Sequence, residues 1–153
     1  MVINMKVNVA ISAHHIHLTR EDVDILFGKG YELHKRNDLS QKGQYASEEL
    51  VTIKTDKSEL KLRVLGPLRS YTQAEISKTD AFKMGLNPPV RDSGDVKNSE
   101  RITIIGPNGI IENKECCILA IRHIHMSIED SIKYGLKNGD KVSVKVHDVP
   151  MPY

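Results

Sequence analysis

Alternation of apolar and polar positions dominates the chain and points to short strands more often than to helices. Val7-Asn8-Val9-Ala10-Ile11 alternates and predicts a strand leading into Ser12-Ala13-His14-His15-Ile16-His17. Leu50-Val51-Thr52-Ile53-Lys54 and Leu60-Lys61-Leu62-Arg63-Val64-Leu65 predict two more, joined by the polar turn Thr55-Asp56-Lys57-Ser58. Residues 101–105 and 109–113 predict a hairpin across Gly106-Pro107-Asn108-Gly109. Residues 116–121 predict a further apolar strand, and 141–146 a last one. Three stretches read as helices. Thr19-Arg20-Glu21-Asp22 has the form of an N-cap with acids in the first turn, Val23, Leu26 and Phe27 supply an apolar stripe, and Gly28 or Gly30 ends it. Residues 72–84 predict a second helix stopped by Gly85. Ser127-Ile128-Glu129-Asp130 caps a third, ended by Gly135. Residues 87–95 are too rich in Pro and Gly for regular structure.

An internal repeat emerges from this pattern. At an offset of 108, His15 falls on His123, Ile16 on Ile124, His17 on His125, Thr19 on Ser127, Glu21 on Glu129 and Asp22 on Asp130. Both copies read as strand, His-x-His, N-cap, short helix, glycine. Val64-Leu65-Gly66-Pro67 is echoed by Ile104-Ile105-Gly106-Pro107. The unit occurs twice only, which argues for two related β-rich halves and against a solenoid. The expected class is therefore mainly β with short helices (α+β), with halves near residues 1–86 and 87–153.

Composition narrows the function classes. A chain of 153 residues with 39% hydrophobic and 27% charged positions is of ordinary soluble type and can bury a core. No apolar run approaches the roughly 18 residues of a membrane span, and Met1 to Ala10 lacks the layout of a signal peptide. With 22 Lys and Arg against 20 Asp and Glu, the balance gives no basic surface for nucleic acid or membrane. Only 5% of residues are aromatic and none is Trp, so stacking platforms for single strands are not expected. Cys116 and Cys117 are adjacent, a poor geometry for a disulfide, which fits a reducing cytoplasm.

Histidine is the informative residue. In extended chain, positions i and i+2 share a face, so His15 and His17 present two imidazoles together, as do His123 and His125. Neutral imidazole is a common zinc ligand, and two of them need a third donor. Chance supplies about 0.3 His-x-His tripeptides in a chain with this histidine content. Two copies in matching frames outweigh it. Glu75 reads as a first-turn helix-dipole partner or as a metal ligand. Arg69 follows a Gly-Pro turn that could hold a guanidinium ready for phosphate, and Arg91 has similar standing; the competing reading of both is a solvated surface arginine. The cysteines lie in an apolar run and read as buried structural thiols. His34 and His147 lack partners at ligand spacing and read as surface residues. No P-loop or G-x-G-x-x-G occurs.

Five ordered motifs resemble one family. They are Ser12-Ala13-His14-His15-Ile16-His17-Leu18, Leu65-Gly66-Pro67-Leu68-Arg69, Thr72-Gln73-Ala74-Glu75-Ile76-Ser77, Pro88-Pro89-Val90-Arg91-Asp92-Ser93-Gly94-Asp95 and Ala120-Ile121-Arg122-His123-Ile124-His125. Together they resemble the phosphate propanoyltransferases, the PduL-type phosphotransacylases. The resemblance implies two intertwined β-barrel halves and exchange of coenzyme A for phosphate on a short acyl group, with acyl-CoA and phosphate as partners. It also implies two zinc sites: His15, His17 and Glu75 at the first, His123 and His125 at the second. Arg69 would bind phosphate as the catalytic residue, and Ser12 and Arg91 fall on the coenzyme A side. Direct transfer, without an acyl-enzyme, is the expected mechanism.

Family members continue further, so the second half-barrel is expected to be incomplete, with a homo-oligomer compensating for an exposed edge. The alternatives are a metal-dependent hydrolase and a truncated, non-catalytic metal-binding remnant. The first strand begins early, leaving no room for a microcompartment-targeting extension, so a cytoplasmic location is expected.

Overall fold

The computed structural model describes residues 4–7, 9 and 14–145. Contacts divide the chain into two units, residues 9–123 and residues 1–8 with 124–153. The boundary expected near residue 86 separates sequence repeats, and these spatial units do not decide it.

The larger unit contains β1 (His15–His17), α1 (Arg20–Phe27), β2 (Lys35–Asp38), β3 (Tyr45–Lys54), β4 (Glu59–Gly66), β5 (Gln73–Glu75), α2 (Lys78–Met84), β6 (Val90–Arg91), β7 (Glu100–Ile105) and β8 (Ile110–Ala120). Six of these strands close a ring. From β3 the pairing runs to β4, β1, β5, β8 and β7, and β7 returns to β3. Strand β2 adds to β3 and β6 to β8 as extras. Mainly β with short helices is thus what the described residues show, with a closed six-stranded barrel in the larger unit.

Period-two patterning fills the barrel. Val51 and Ile53, Leu62 and Val64, and Ile102 and Ile104 are all buried, together with Ile16 and Ala74. Each of the Val, Leu and Ile side chains contributes about 1.5–3 kcal/mol when fully buried. Helix α1 adds Val23, Leu26 and Phe27 to the same core, and α2 adds Ala81 and Met84. Thr19 caps α1 by accepting from the Asp22 N–H, and Ser77 caps α2 by accepting from the Asp80 N–H. The β7–β8 turn seals the end of α1, where the Asn108 N–H donates to the Leu26 carbonyl at 2.9 Å. A Cβ at Gly106 would sit 2.4 Å from that carbonyl oxygen, so only glycine allows the approach.

Several sequence expectations need correction. Residues 72–84 are not one helix. Gln73–Glu75 is a buried strand, and α2 starts only after the Ser77 cap. The helix-forming composition there is overridden by pairing with β1 and β8. The second arm of the expected hairpin and the cysteine strand are one continuous element, β8. The Pro/Gly-rich connector contains the two-residue strand β6. The strand expected at 7–11 falls mostly outside the described residues, and Val7 and Val9 are in no element.

In the smaller unit, α3 (Ile128–Tyr134) is capped by Ser127 and ends at a left-handed Gly135, as expected. Residues 141–145 are not in a strand, because an alternating segment needs a ladder partner and none pairs with it among the described residues. No described helix is long and apolar enough to cross a membrane.

Both cysteines are fully buried within β8. Burial pushes the Cys116 thiol up to about 12 and raises that of Cys117 as well. Neither is a nucleophile near neutral pH. At pH 8 the native protein is expected to react negligibly with a thiol reagent and to release two equivalents once denatured. Rapid modification of the native chain would contradict this packing.

Glu49 organises a second polar cluster beneath the surface. His34 has an exposed ring, as expected, yet its Nδ1 lies 2.6 Å from a buried Glu49 oxygen. The Tyr31 hydroxyl donates to the same oxygen at 2.9 Å, and the His34 N–H reaches both oxygens at 3.1 Å. Burial pushes the Glu49 carboxyl upward, but the His34 and Tyr31 hydrogen bonds outweigh it and hold the carboxyl below its ordinary range. A depressed folded-state value stabilises the protein above the ordinary carboxylate range, and the benefit is lost as pH falls through that range. Glu49→Gln is expected to cost roughly 1–3 kcal/mol near neutral pH. In urea titrations at stepped pH the difference should shrink as pH falls below about 4.5. A gap that does not change with pH would rule out the charged carboxylate as its source.

Candidate metal centre

The centre follows from the pairing of two three-residue strands. β1 and β5 run antiparallel with His15 opposite Glu75, Ile16 opposite Ala74 and His17 opposite Gln73. Alternation sends Ile16 and Ala74 into the apolar core and leaves His15, His17, Gln73 and Glu75 on the other face. His15 and Glu75 form a directly opposed cross-strand pair, and His17 stands one pleat further along.

The donor atoms converge. His15 Nε2 contacts Glu75 Oε2, and His17 Nε2 lies 3.8 Å from the same oxygen. One donor atom from each of the three residues falls within 4.8 Å of the others. The imidazole planes are nearly perpendicular, at 82°, with centroids 5.0 Å apart. Two imidazoles and a carboxylate are a donor set suited to a zinc-class ion, and these side chains fit one. Burial foremost, then the charges of Arg69 and His15, lowers the His17 pKa to about 3. Its imidazole is therefore neutral at physiological pH, the form that ligates metal. Its Nδ1 is buried without a hydrogen-bond partner of normal geometry. The Leu65 backbone offers the ring only a minor favourable contact. Burial pushes the Glu75 carboxyl upward, but the hydrogen bond with His15, and then the charge of His15, hold it below the ordinary range. Glu75 is thus a strand residue facing the histidines, not a helix-dipole partner.

Arg69 lies within electrostatic reach of the triad, as its influence on His17 shows. Its backbone N–H donates to the Leu18 carbonyl at 2.9 Å, fixing the loop beside the end of β1. Its guanidinium donates to the Tyr71 hydroxyl at 3.0 Å, Ser93 Oγ at 3.2 Å and Gln44 Oε1 at 3.3 Å. These three anchors are neutral, so they orient the guanidinium without neutralising it. Arg91 is placed differently: it donates to Asp95 at 3.1 Å and to the Lys97 carbonyl at 2.9 Å, within its own loop. Ser12 and His147 lie outside the described residues. His123 is close enough to influence Glu75, whereas His125 belongs to the smaller unit.

Two hollows reach the triad. One of about 430 Å³ is lined by Leu39, Leu50, Leu65, Lys61 and Arg63, and it borders His15. The other, about 590 Å³, borders Glu75 and is lined by Val90, Leu119, Ile121 and Arg122 among others. Lys61, Arg63, Gln73 and Ser93 were not singled out from sequence. The alternation Lys61-Leu62-Arg63-Val64-Leu65 does place both cations opposite the core-facing Leu62 and Val64, the one signal that could have found them. His14 also gains a partner, its Nδ1 lying 3.0 Å from Asp80 Oδ2 at the start of α2.

Comparison with known proteins bears on this geometry. A family described as phosphate propanoyltransferase matches residues 8–151. The phosphate propanoyltransferase of Thermotoga maritima is 52% identical over 139 residues, covering 90% of this chain and 66% of the relative. That of Priestia megaterium is 56% identical over 139 residues, covering 90% and 64%. That of Lachnoclostridium phytofermentans is 51% identical over 144 residues, covering 93% and 67%. The chain spans about two thirds of the length of these curated relatives. A match over nearly the whole chain at such identity establishes that it belongs to the phosphate propanoyltransferase family.

Proposed function

We propose that the chain carries the site of an acyl exchange in which acyl-CoA and phosphate give acyl phosphate and coenzyme A. The observation that carries this reading is the convergence of His15, His17 and Glu75 beside an arginine with neutral anchors. His15, His17 and Glu75 would hold a zinc-class ion, which would supply Lewis-acid stabilisation of negative charge at the thioester. The remaining work falls to side chains. Arg69 binds phosphate through a guanidinium already oriented by Tyr71, Ser93 and Gln44, and it offsets charge repulsion as the nucleophile nears the carbonyl carbon. A phosphate oxygen forms the new C–O bond, the C–S bond breaks, and the thiolate of coenzyme A leaves with the bonding pair. Lys61 and Arg63, which line the hollow beside His15 together with Leu39, Leu50 and Leu65, suit a ligand with an anionic end and an apolar arm. Neither buried cysteine can accept the acyl group, which favours direct transfer between bound substrates. The names of the relatives support the same substrates.

The test is to incubate metal-replete protein with acetyl-CoA or propanoyl-CoA, with and without phosphate, and to measure both free thiol and acyl phosphate. Thiol release that requires phosphate and matches acyl phosphate formed is expected. Equal release without phosphate would identify a hydrolase instead. Arg69→Ala is expected to lower exchange by about 10²–10³-fold while metal content is retained. Glu75→Gln is expected to lower zinc affinity at least about tenfold, read by elemental analysis and chelator competition. Unchanged zinc affinity in Glu75→Gln would move the ion elsewhere.

A further inference from the structure

Gln73 is wholly buried although it lies on the polar face of β5, opposite His17 and two residues before Glu75. Both ends of its amide are engaged. The Gly94 N–H donates to Oε1 at 2.7 Å, and Nε2 donates to Ser93 Oγ at 3.1 Å. A backbone N–H can only donate, so Oε1 must face Gly94, and the orientation of the amide is fixed. Ser93 Oγ also accepts from Arg69 at 3.2 Å. Two incoming donors occupy that oxygen, so the hydroxyl proton of Ser93 must point away from both. An apolar side chain could fill the volume of Gln73, but it could not make either bond.

We propose that Gln73 is a positioning residue: it fixes the Ser93–Gly94 loop and, through Ser93, orients the Arg69 guanidinium beside the metal-ligand strands. This deepens the proposed exchange reaction and rests on the assignment of Arg69 to phosphate. Gln73 touches no reacting atom; it acts through the loop. Tyr71 and Gln44 still hold Arg69 when Gln73 is replaced, so the arginine is misdirected, not released.

The experiment compares Gln73→Leu, Ser93→Ala and their combination with the wild type, all metal-replete. Each single change is expected to raise the KM for phosphate about tenfold or more, the scale of one charge-assisted hydrogen bond. The KM for acyl-CoA and the metal content should stay within about twofold, and the double variant should be no worse than either single one.

A readout independent of turnover is the ¹⁵N side-chain spectrum of Arg69, whose guanidinium rotation should be slow in the wild type and faster in the variants. If the wild type showed no exchange, the functional reading would fail and this spectrum alone would decide the positioning role. Should Gln73→Leu not fold, Ser93→Ala, on an exposed loop, gives the same decision. Folded variants with an unchanged phosphate KM and an unchanged Arg69 spectrum would overturn the proposal. An equal rise in both KM values would reduce Gln73 to a structural role and overturn it as well.

Discussion

The register of β1 against β5 is the constraint on which the site depends. Three residues face three residues, and alternation divides them between two environments: Ile16 and Ala74 in the apolar core, His15, His17, Gln73 and Glu75 on the opposite, polar face. A slip of one residue would drive imidazoles and a carboxylate into hydrocarbon and expose Ile16. The core therefore enforces the donor geometry. Neither strand could hold register alone, since three residues make too few ladder bonds. Each lies between longer neighbours: β4 beside β1 and β8 beside β5. The closed ring has no edge at this point, so the donors are held on a rigid wall instead of a loop.

The electrostatics follow from that wall. Partial burial lowers the affinity of His17 for protons, while the hydrogen bond and charge of His15 hold Glu75 below the ordinary carboxylate range against its desolvation. Two donors of opposite proton affinity thus reach neutral pH in the states a divalent cation requires, neutral imidazole and carboxylate. Arg69 completes the field from outside the strands. Its positive charge disfavours protonation of His17, and its neutral anchors leave that charge for an anion. The same residue thereby favours a ligand-ready histidine and, in the proposed reaction, would favour an approaching phosphate.

Local features of the fold were legible from sequence, and non-local ones less so. The caps at Thr19 and Ser127, the hairpin turn at Gly106–Gly109 and the paired face of His15 and His17 depend on residues within a few positions, and all appear as expected. Residues 72–84 did not, because Thr-Gln-Ala-Glu has good helix propensity and the contrary instruction comes from distant partners in β1 and β8, such as His15 and Ile118 opposite Glu75. Glu75 was named as a metal candidate, but the reason for it, direct opposition to His15, is a register fact that no local window contains. Gln73 and Ser93 stayed invisible for a related reason: a buried amide bridging a strand to a loop 20 residues on has no periodicity to announce it.

The two copies of the internal repeat separate these kinds of information. Thr19 and Ser127 cap their helices by the same bond, to the N–H three residues later, because the motif carries everything the bond requires. The preceding segments share His-x-His and yet differ. His15–His17 is a strand between β4 and β5, whereas residues 122–126 join no ladder among the described residues. Helix contents differ in the same way: α1 buries Val23, Leu26 and Phe27 against the barrel, and α3 buries nothing. Identical spacing therefore supplies two imidazoles in both places, but a strand partner such as β5 is what turns spacing into a converged donor set. Glu75 has that role for the first copy, and its burial between His15 and the hollow beside β8 is what makes the repeat a candidate site there.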